Sequence, residues 1–262
     1  MPRGINQFDE DRLDGLNVGD ANSSNIVSPG IVTDGLVVYL DAGNYQSYPI
    51  AGTTWYDLSG RRNNATLTNG PAYVRGGGGA IDFDGTDYAP ISTSFVPPST
   101  GSFTISFWSK STKKASGSFH SFMSSRQLTT PFSGILITQD FTANRSEFLR
   151  VQLNSSTQVN QYNSGTIGIP DNVFCNVTII VDRNANLMRW YVNSVFDSQY
   201  NIAGLGDISS THALEIARDE AFAPDANAFL IGNVASVAIY DRGITLADVQ
   251  QNFNALRARF NI

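Results

Sequence analysis

Apolar and polar residues alternate with a period of two along many short runs, and Gly, Pro, Asn, Asp and Ser separate one run from the next. Phe103-Thr104-Ile105-Ser106-Phe107 is the cleanest case and predicts a strand with Phe103, Ile105 and Phe107 on one face. Leu36–Asp41, Gly134–Ile137, Phe148–Leu153, Val177–Val181 and Leu187–Val192 are further candidates, followed by Ala228–Gly232 and Val234–Tyr240. The connector Asp182-Arg183-Asn184-Ala185-Asn186 has the composition of a hairpin turn. Helical spacing is clear at the C-terminus. There Thr245 with Asp248 forms a capping-box pattern, and Leu246, Val249, Phe253 and Leu256 share one face. Arg257 and Arg259 stand near the C-terminal end, where cations are favoured. Many short strands with one amphipathic helix predict an all-β sandwich. Residues 1–34 hold no sustained period, and their polar run from Asn17 to Ser28 ends in Pro29-Gly30. They read as an extended N-terminal arm or linker, with residues 35–262 as the globular body.

Composition fits this division. A chain of 262 residues, 41% hydrophobic and only 15% charged, can build one large all-β domain with a surface of neutral polar groups. The formal net charge is −6, of which residues 1–34 carry −4: Arg3 and Arg12 stand against Asp9, Glu10, Asp11, Asp14, Asp20 and Asp34. No basic footprint for a phosphate backbone is present, which argues against nucleic acid as a partner. Cys175 is the one cysteine, set in an apolar run, so it reads as a small buried hydrophobe with no disulfide partner in the chain. The N-terminus has no apolar segment of signal-peptide type, and no stretch is long and apolar enough for membrane insertion. A chain synthesised in a cytoplasm, outside the classical secretory route, is the expectation.

Three segments carry a family resemblance. The first is Leu36-Val37-Val38-Tyr39-Leu40-Asp41 followed by Trp55-Tyr56-Asp57-Leu58-Ser59-Gly60 and Asn63-Asn64-Ala65. The second is Phe83-Asp84-Gly85-Thr86-Asp87-Tyr88, and the third runs from Ile231-Gly232-Asn233 through Tyr240-Asp241-Arg242-Gly243 to Phe260. Tyr191-Val192-Asn193-Ser194 adds a hairpin in which Ser replaces the usual Gly. Together they resemble the laminin G-like branch of the concanavalin A-like lectin/glucanase superfamily, which implies a jelly-roll β-sandwich over residues 35–262 and says little about function. The wording of the first segment is also similar to domains in structural proteins of tailed bacteriophages. That resemblance implies a non-catalytic component of the virion surface, a capsid decoration or knob protein whose partners are major capsid or tail proteins. The arm would then dock the protein, through residues such as Arg3, Ile5, Phe8, Arg12, Leu13 and Leu16. The alternative is a carbohydrate-binding, receptor-binding module of a tail fibre or cell-surface protein that recognises cell-surface glycans. Assembly as a homo-oligomer is open under either reading.

The chemistry-bearing residues favour binding over catalysis. Glycosidases of this superfamily need a carboxylate pair on one strand in a Glu-x-Asp-x-Glu pattern, and Glu10, Glu147, Glu215 and Glu220 do not form one. Hydrolysis therefore ranks last, and no enzyme is expected. Tyr45, Tyr48, Trp55 and Tyr56 lie in one loop and are candidates for stacking on sugar rings, although a buried plug is the favoured role for Trp55. Trp108 and Trp190 sit within strands and are expected in the core. Asp82, Asp84 and Asp87 are the densest acidic group outside the arm; turn chemistry is favoured there over a calcium site. No cofactor is required, and calcium stays open because some laminin G-like relatives bind it. His120 and His212 have no second His or Cys at metal spacing. Gly76-Gly77-Gly78-Gly79 lacks the helix and lysine of a phosphate loop and reads as a flexible turn.

Overall fold

The computed structural model describes residues 30–92, 100–112, 118–130, 132–141, 148–155, 159–163, 169–223, 225 and 228–262. The docking candidates Arg3, Ile5, Phe8, Arg12, Leu13 and Leu16 lie outside the described residues.

Strands numbered in chain order form two packed sheets. The larger runs β14 (Val195–Asn201), β13 (Leu187–Val192), β12 (Cys175–Asp182), β7 (Phe103–Ser111), β16 (Ile231–Tyr240), β5 (Ala80–Asp84) and β4 (Ala72–Val74), with β1 (Leu36–Asp41) also paired to β16. The smaller runs β11 (Val159–Asn163), β10 (Phe148–Asn154), β9 (Gly134–Asp140), β8 (Phe119–Ser124), β15 (Glu215–Ile216) and β6 (Ala89–Pro90). A two-stranded ribbon joins β2 (Thr54–Trp55) to β3 (Ala65–Thr66). All of these pairings are antiparallel.

Period-two patterning sets the register. Phe103, Ile105 and Phe107 of β7 stand opposite Val181, Ile179 and Val177 of β12, and Ile105 and Phe107 also face Ile239 and Val237 of β16. These side chains are buried in one core cluster with Ile135, Ile137, Leu149, Val151 and Leu153 of the smaller sheet. A one-residue slip would turn every one of them outward, so the pairing is strongly specified. The hairpin turn predicted between β12 and β13 is present, with Asn186 at φ 54°. Ala228–Gly232 differs from the sequence expectation: it is not a strand of its own, and β16 starts at Ile231 and continues through an irregularity between Val234 and Ser236. That bulge keeps the apolar residues on either side of it facing the core.

The C-terminal helix α1 (Leu246–Leu256) has the predicted capping box. Thr245 Oγ1 accepts from Asp248 N (3.2 Å) and Asp248 Oδ2 accepts from Thr245 N (2.9 Å). Its buried face departs from the periodic reading: Leu246 is half exposed, whereas Asn252 is buried beside Val249 and Phe253. Asn252 is satisfied there, since Nδ2 donates to Tyr240 Oη (2.9 Å) and Oδ1 accepts from Val32 N (2.8 Å). Tyr240 Oη in turn donates to Val32 O (3.0 Å), so the segment from Gly30 is tied to helix and sheet. Trp108 lies under the helix end, stacked on Phe253 and Phe260. Arg259 does not serve a helix C-terminus; it pairs with Asp41 (2.7 Å) and donates to the carbonyls of Gly78 and Gly79. The glycine run is consequently packed, not loose: a Cβ on Gly79 would lie 2.7 Å from Gly43 Cα.

Candidate functional site

The residues singled out in the sequence separate by burial. Trp55 is fully buried and Tyr48 is 5% exposed, so neither presents a ring face to a sugar. Both belong to the main core, Trp55 from β2 and Tyr48 from the loop before it, where its ring lies 5.7 Å from that of Tyr73. Tyr45 and Tyr56 remain exposed. The loop around them is a structural knot centred on Asp57. Its Oδ1 accepts from Tyr39 N (2.8 Å) and Ser59 N (2.9 Å), and its Oδ2 accepts from Ser59 Oγ (2.7 Å) and Asn63 N (2.9 Å). Asn64 Oδ1 accepts from Asp57 N, and Asn63 Nδ2 donates to Val37 O, which pins the loop to β1.

Asp82, Asp84 and Asp87 serve the turn after β5. Asp84 Oδ1 accepts from both Thr86 N and Thr86 Oγ1, and these bonds hold its carboxyl below the usual range. Gly85 at φ 99° completes the turn, where a side chain would be strained. Asp82 accepts from Asn233 Nδ2 (2.7 Å), and burial raises the Asp87 carboxyl. Asp84 and Asp87 are thus engaged in the turn, and Asp82 in a bond to β16.

Two clusters were invisible in the sequence. His212, reckoned isolated, pairs through Nε2 with Glu220 (2.5 Å), and these two with Glu215 place one ligand atom each within 4.8 Å. A resident cation already fills that space. The Arg218 guanidinium donates to both oxygens of Glu215 (2.7 and 2.5 Å), reaches Glu220 (3.1 Å) and stacks on the Tyr88 ring at 3.5 Å. Burial raises the Glu215 carboxyl, with Arg218 opposing.

The second cluster is a pocket of about 360 Å³ on the face of the smaller sheet turned away from the core. Leu149, Val151 and Leu153 of β10 enter the core, so Arg150 and Gln152 must emerge on this side. Arg150 joins Asp140 and Thr138 of β9. Its Nη1 lies 3.1 Å from Asp140 Oδ2 and its Nε donates to Thr138 Oγ1 (3.2 Å), while Thr138 Oγ1 donates to Asp140 Oδ1 (2.9 Å). Burial raises the Asp140 carboxyl, with Arg150 pulling the other way. Phe119 and Phe222 meet edge-on at 5.7 Å, and Phe222 is 47% exposed. Phe222 belongs to the loop after β15, which Asp219 fastens to the sheet. Fully buried, Asp219 accepts from Ser124 Oγ (2.8 Å) and from Nε and Nη2 of Arg126. The Arg126 guanidinium lies 5.0 Å from the Phe222 ring centre and also donates to Gln152 Oε1 (3.3 Å). A depression twice as large, about 780 Å³, sits at the β12–β13 turn. It is more open and has no aromatic lining, and its two arginines, Arg183 and Arg242, are spent on backbone carbonyls and carboxylates. The smaller pocket has the better chemistry for a ligand.

A laminin G-type family model, described as the concanavalin A-like lectin/glucanases superfamily, matches residues 83–250. The chain belongs to this family. The fold of this concanavalin A-like domain recurs in solved structures at low identity. The binding domain of Paraclostridial mosquitocidal protein 1 is 17% identical with a TM-score of 0.67, over 85% of this chain and 52% of that one. The binding domain of botulinum neurotoxin serotype G is 16% identical with a TM-score of 0.61, over 83% and 50%. The chain therefore spans about half the length of these structures. Domain 4 of AbnA, a GH43 extracellular arabinanase from Geobacillus stearothermophilus in complex with arabinotriose, is 15% identical with a TM-score of 0.59, over 83% of this chain and 97% of that one. No curated protein matches the chain by sequence. Among the described residues, no helix is long and apolar enough to cross a membrane.

Proposed function

We propose that this concanavalin A-like domain is a non-catalytic carbohydrate-binding module, and that glycans bind the pocket formed by Phe119, Phe222, Arg150, Asp140, Gln152 and Arg126. The observation that carries this reading is the pairing of an exposed aromatic ring, Phe222, with fixed polar groups in a pocket of about 360 Å³. Sugar rings offer an apolar C–H face and a rim of hydroxyls, and such a pocket meets both. Two of the similar structures are binding domains and a third carries arabinotriose, which supports binding as the role. The reading as non-enzyme is supported by the carboxylates around the pocket. Asp140 is the one carboxylate among the pocket's described lining residues, whereas glycoside hydrolysis takes a pair. Attachment of the module to a bacteriophage particle as a decoration, or to a tail fibre, rests on the resemblance of the opening segment alone.

Calorimetric titration with arabinotriose and other oligosaccharides tests the reading, using Phe222→Ala and Trp55→Phe. Phe222→Ala should lose affinity about tenfold or more, as expected from about 1.4 kcal/mol of lost stacking. Trp55→Phe should leave affinity unchanged, because Trp55 is buried in the core. No binding by the wild type, or full binding by Phe222→Ala, would reject the site.

A further inference from the structure

Each charged side chain among the pocket's described lining residues has a partner of opposite charge. Among its described lining residues, Arg150 is paired with Asp140, and Arg126 with Asp219 on the adjoining loop. Side-chain exposure is 18% and 13% for the first pair, and 7% and 0% for the second. The two pairs differ in freedom. Arg126 is fixed by Asp219, by Gln152 and by two aromatic rings, Phe132 and Phe222. Arg150 is held through Nε and Nη1 and lies 5.6 Å from the Phe119 ring centre, and among the described residues no hydrogen-bond or ion-pair partner engages its Nη2.

An anionic sugar bound by Arg150 would compete with Asp140 for its guanidinium. That would leave a largely buried carboxylate without its cation and next to a second negative charge, an arrangement that is disfavoured twice over. An uncharged sugar avoids both penalties. Each hydroxyl both donates and accepts, so adjacent hydroxyls can donate to Asp140 and accept from Arg150 while the ion pair stays intact. We infer that the pocket selects uncharged glycans and reads a pair of neighbouring sugar hydroxyls with Arg150 and Asp140. This inference rests on the reading of the same pocket as a glycan site.

The test uses the full chain and a panel of short oligosaccharides. Arabinotriose, cellotriose, mannotriose and galactotriose are the neutral members; trigalacturonate and sialyllactose are the acidic ones. At least one neutral member should bind, about tenfold or more tighter than either acidic one, with little dependence on salt. Asp140→Asn removes the anion that neutralises Arg150. It should weaken the neutral ligand, strengthen the acidic ones and introduce salt dependence, shifting the ratio by about tenfold or more. Acidic members binding the wild type as tightly as neutral ones, with Phe222→Ala abolishing both, would overturn the selectivity while leaving the glycan site standing. An unchanged ratio in a folded Asp140→Asn would also overturn it. No binding by any member would remove the glycan site itself and the selectivity with it. Should Asp140→Asn fail to fold, the wild-type ratio decides alone.

Discussion

Asp219→Ala is the most demanding test of how this domain holds its pocket together. The Asp219 carboxylate is fully buried and accepts three hydrogen bonds, one from Ser124 and two from Arg126. Truncation strands the Arg126 guanidinium at 7% exposure, with Gln152 as its remaining hydrogen-bond partner among the described residues. Breaking a buried pair by removing one partner costs about 3–5 kcal/mol. A domain is stable by roughly 5–15 kcal/mol, so this is a large share of the total. For a chain of this size each kcal/mol moves the melting temperature by about 2–4 °C, which predicts a fall of roughly 6–20 °C. The double variant Arg126→Met with Asp219→Leu should recover most of the loss. Phe132 and Phe222 already flank the guanidinium and would pack against an apolar replacement. Urea unfolding followed by the fluorescence of the buried Trp55, Trp108 and Trp190 measures both effects. A single variant within about 0.5 kcal/mol of wild type, or a double variant as unstable as the sum of its singles, would refute the reasoning.

Three further outcomes follow from the helix and its neighbours. Thr245→Ala should cost about 1 kcal/mol by removing the capping hydroxyl, measured by the same unfolding curves. Burial raises the Asp248 carboxyl, but its bonds from Thr245 and Arg242 outweigh that and leave it lowered. Its contribution is therefore complete above the unfolded carboxyl range and lost as pH falls through the lower folded value; Asp248→Asn should flatten that acid limb, whereas Thr245→Ala keeps the backbone N–H and Arg242 and should retain most of it. Removing residues 1–34 should lower stability relative to removing residues 1–29. The longer truncation deletes Ile31 and Val32, which pack on the helix cluster, and strips partners from buried Tyr240 and Asn252 at about 1–3 kcal/mol for each stranded group. Equal melting temperatures for the two truncations would contradict this.

The fold was legible because its determinants are local. Alternation at Phe103–Phe107 and Val177–Val181 fixes which face is buried, the Asp182–Asn186 connector fixes a hairpin, and Thr245 with Asp248 fixes a helix start. Each signal spans a few residues, and the sandwich is the architecture that buries them all. The placement of Asn252 was not legible, since a polar residue enters a helix's buried face only when distant partners, here Val32 and Tyr240, satisfy it. The aromatic loop was legible in part: burial of Trp55 was the favoured expectation, burial of Tyr48 was not. Four rings in one loop look alike in sequence, yet the folded loop buries Trp55 and Tyr48 and leaves Tyr45 and Tyr56 outside.

What the sequence determined by itself was the period-two code, the turns and the cap, and through them a concanavalin A-like sandwich. Strict alternation in Leu149-Arg150-Val151-Gln152-Leu153 also marked Arg150 and Gln152 as facing away from the core, a signal that was available but had no visible destination. The tertiary structure decided the rest. Phe119, Asp140, Arg150 and Phe222 come from β8, β9, β10 and the loop after β15, and only sheet order makes them neighbours. Charge pairing is equally non-local, because Arg126 and Asp219 lie 93 positions apart and neither residue alone announces that it is buried. A pocket assembled across strands depends on register and on which loop folds over which face, and those follow from the packing of the whole sandwich.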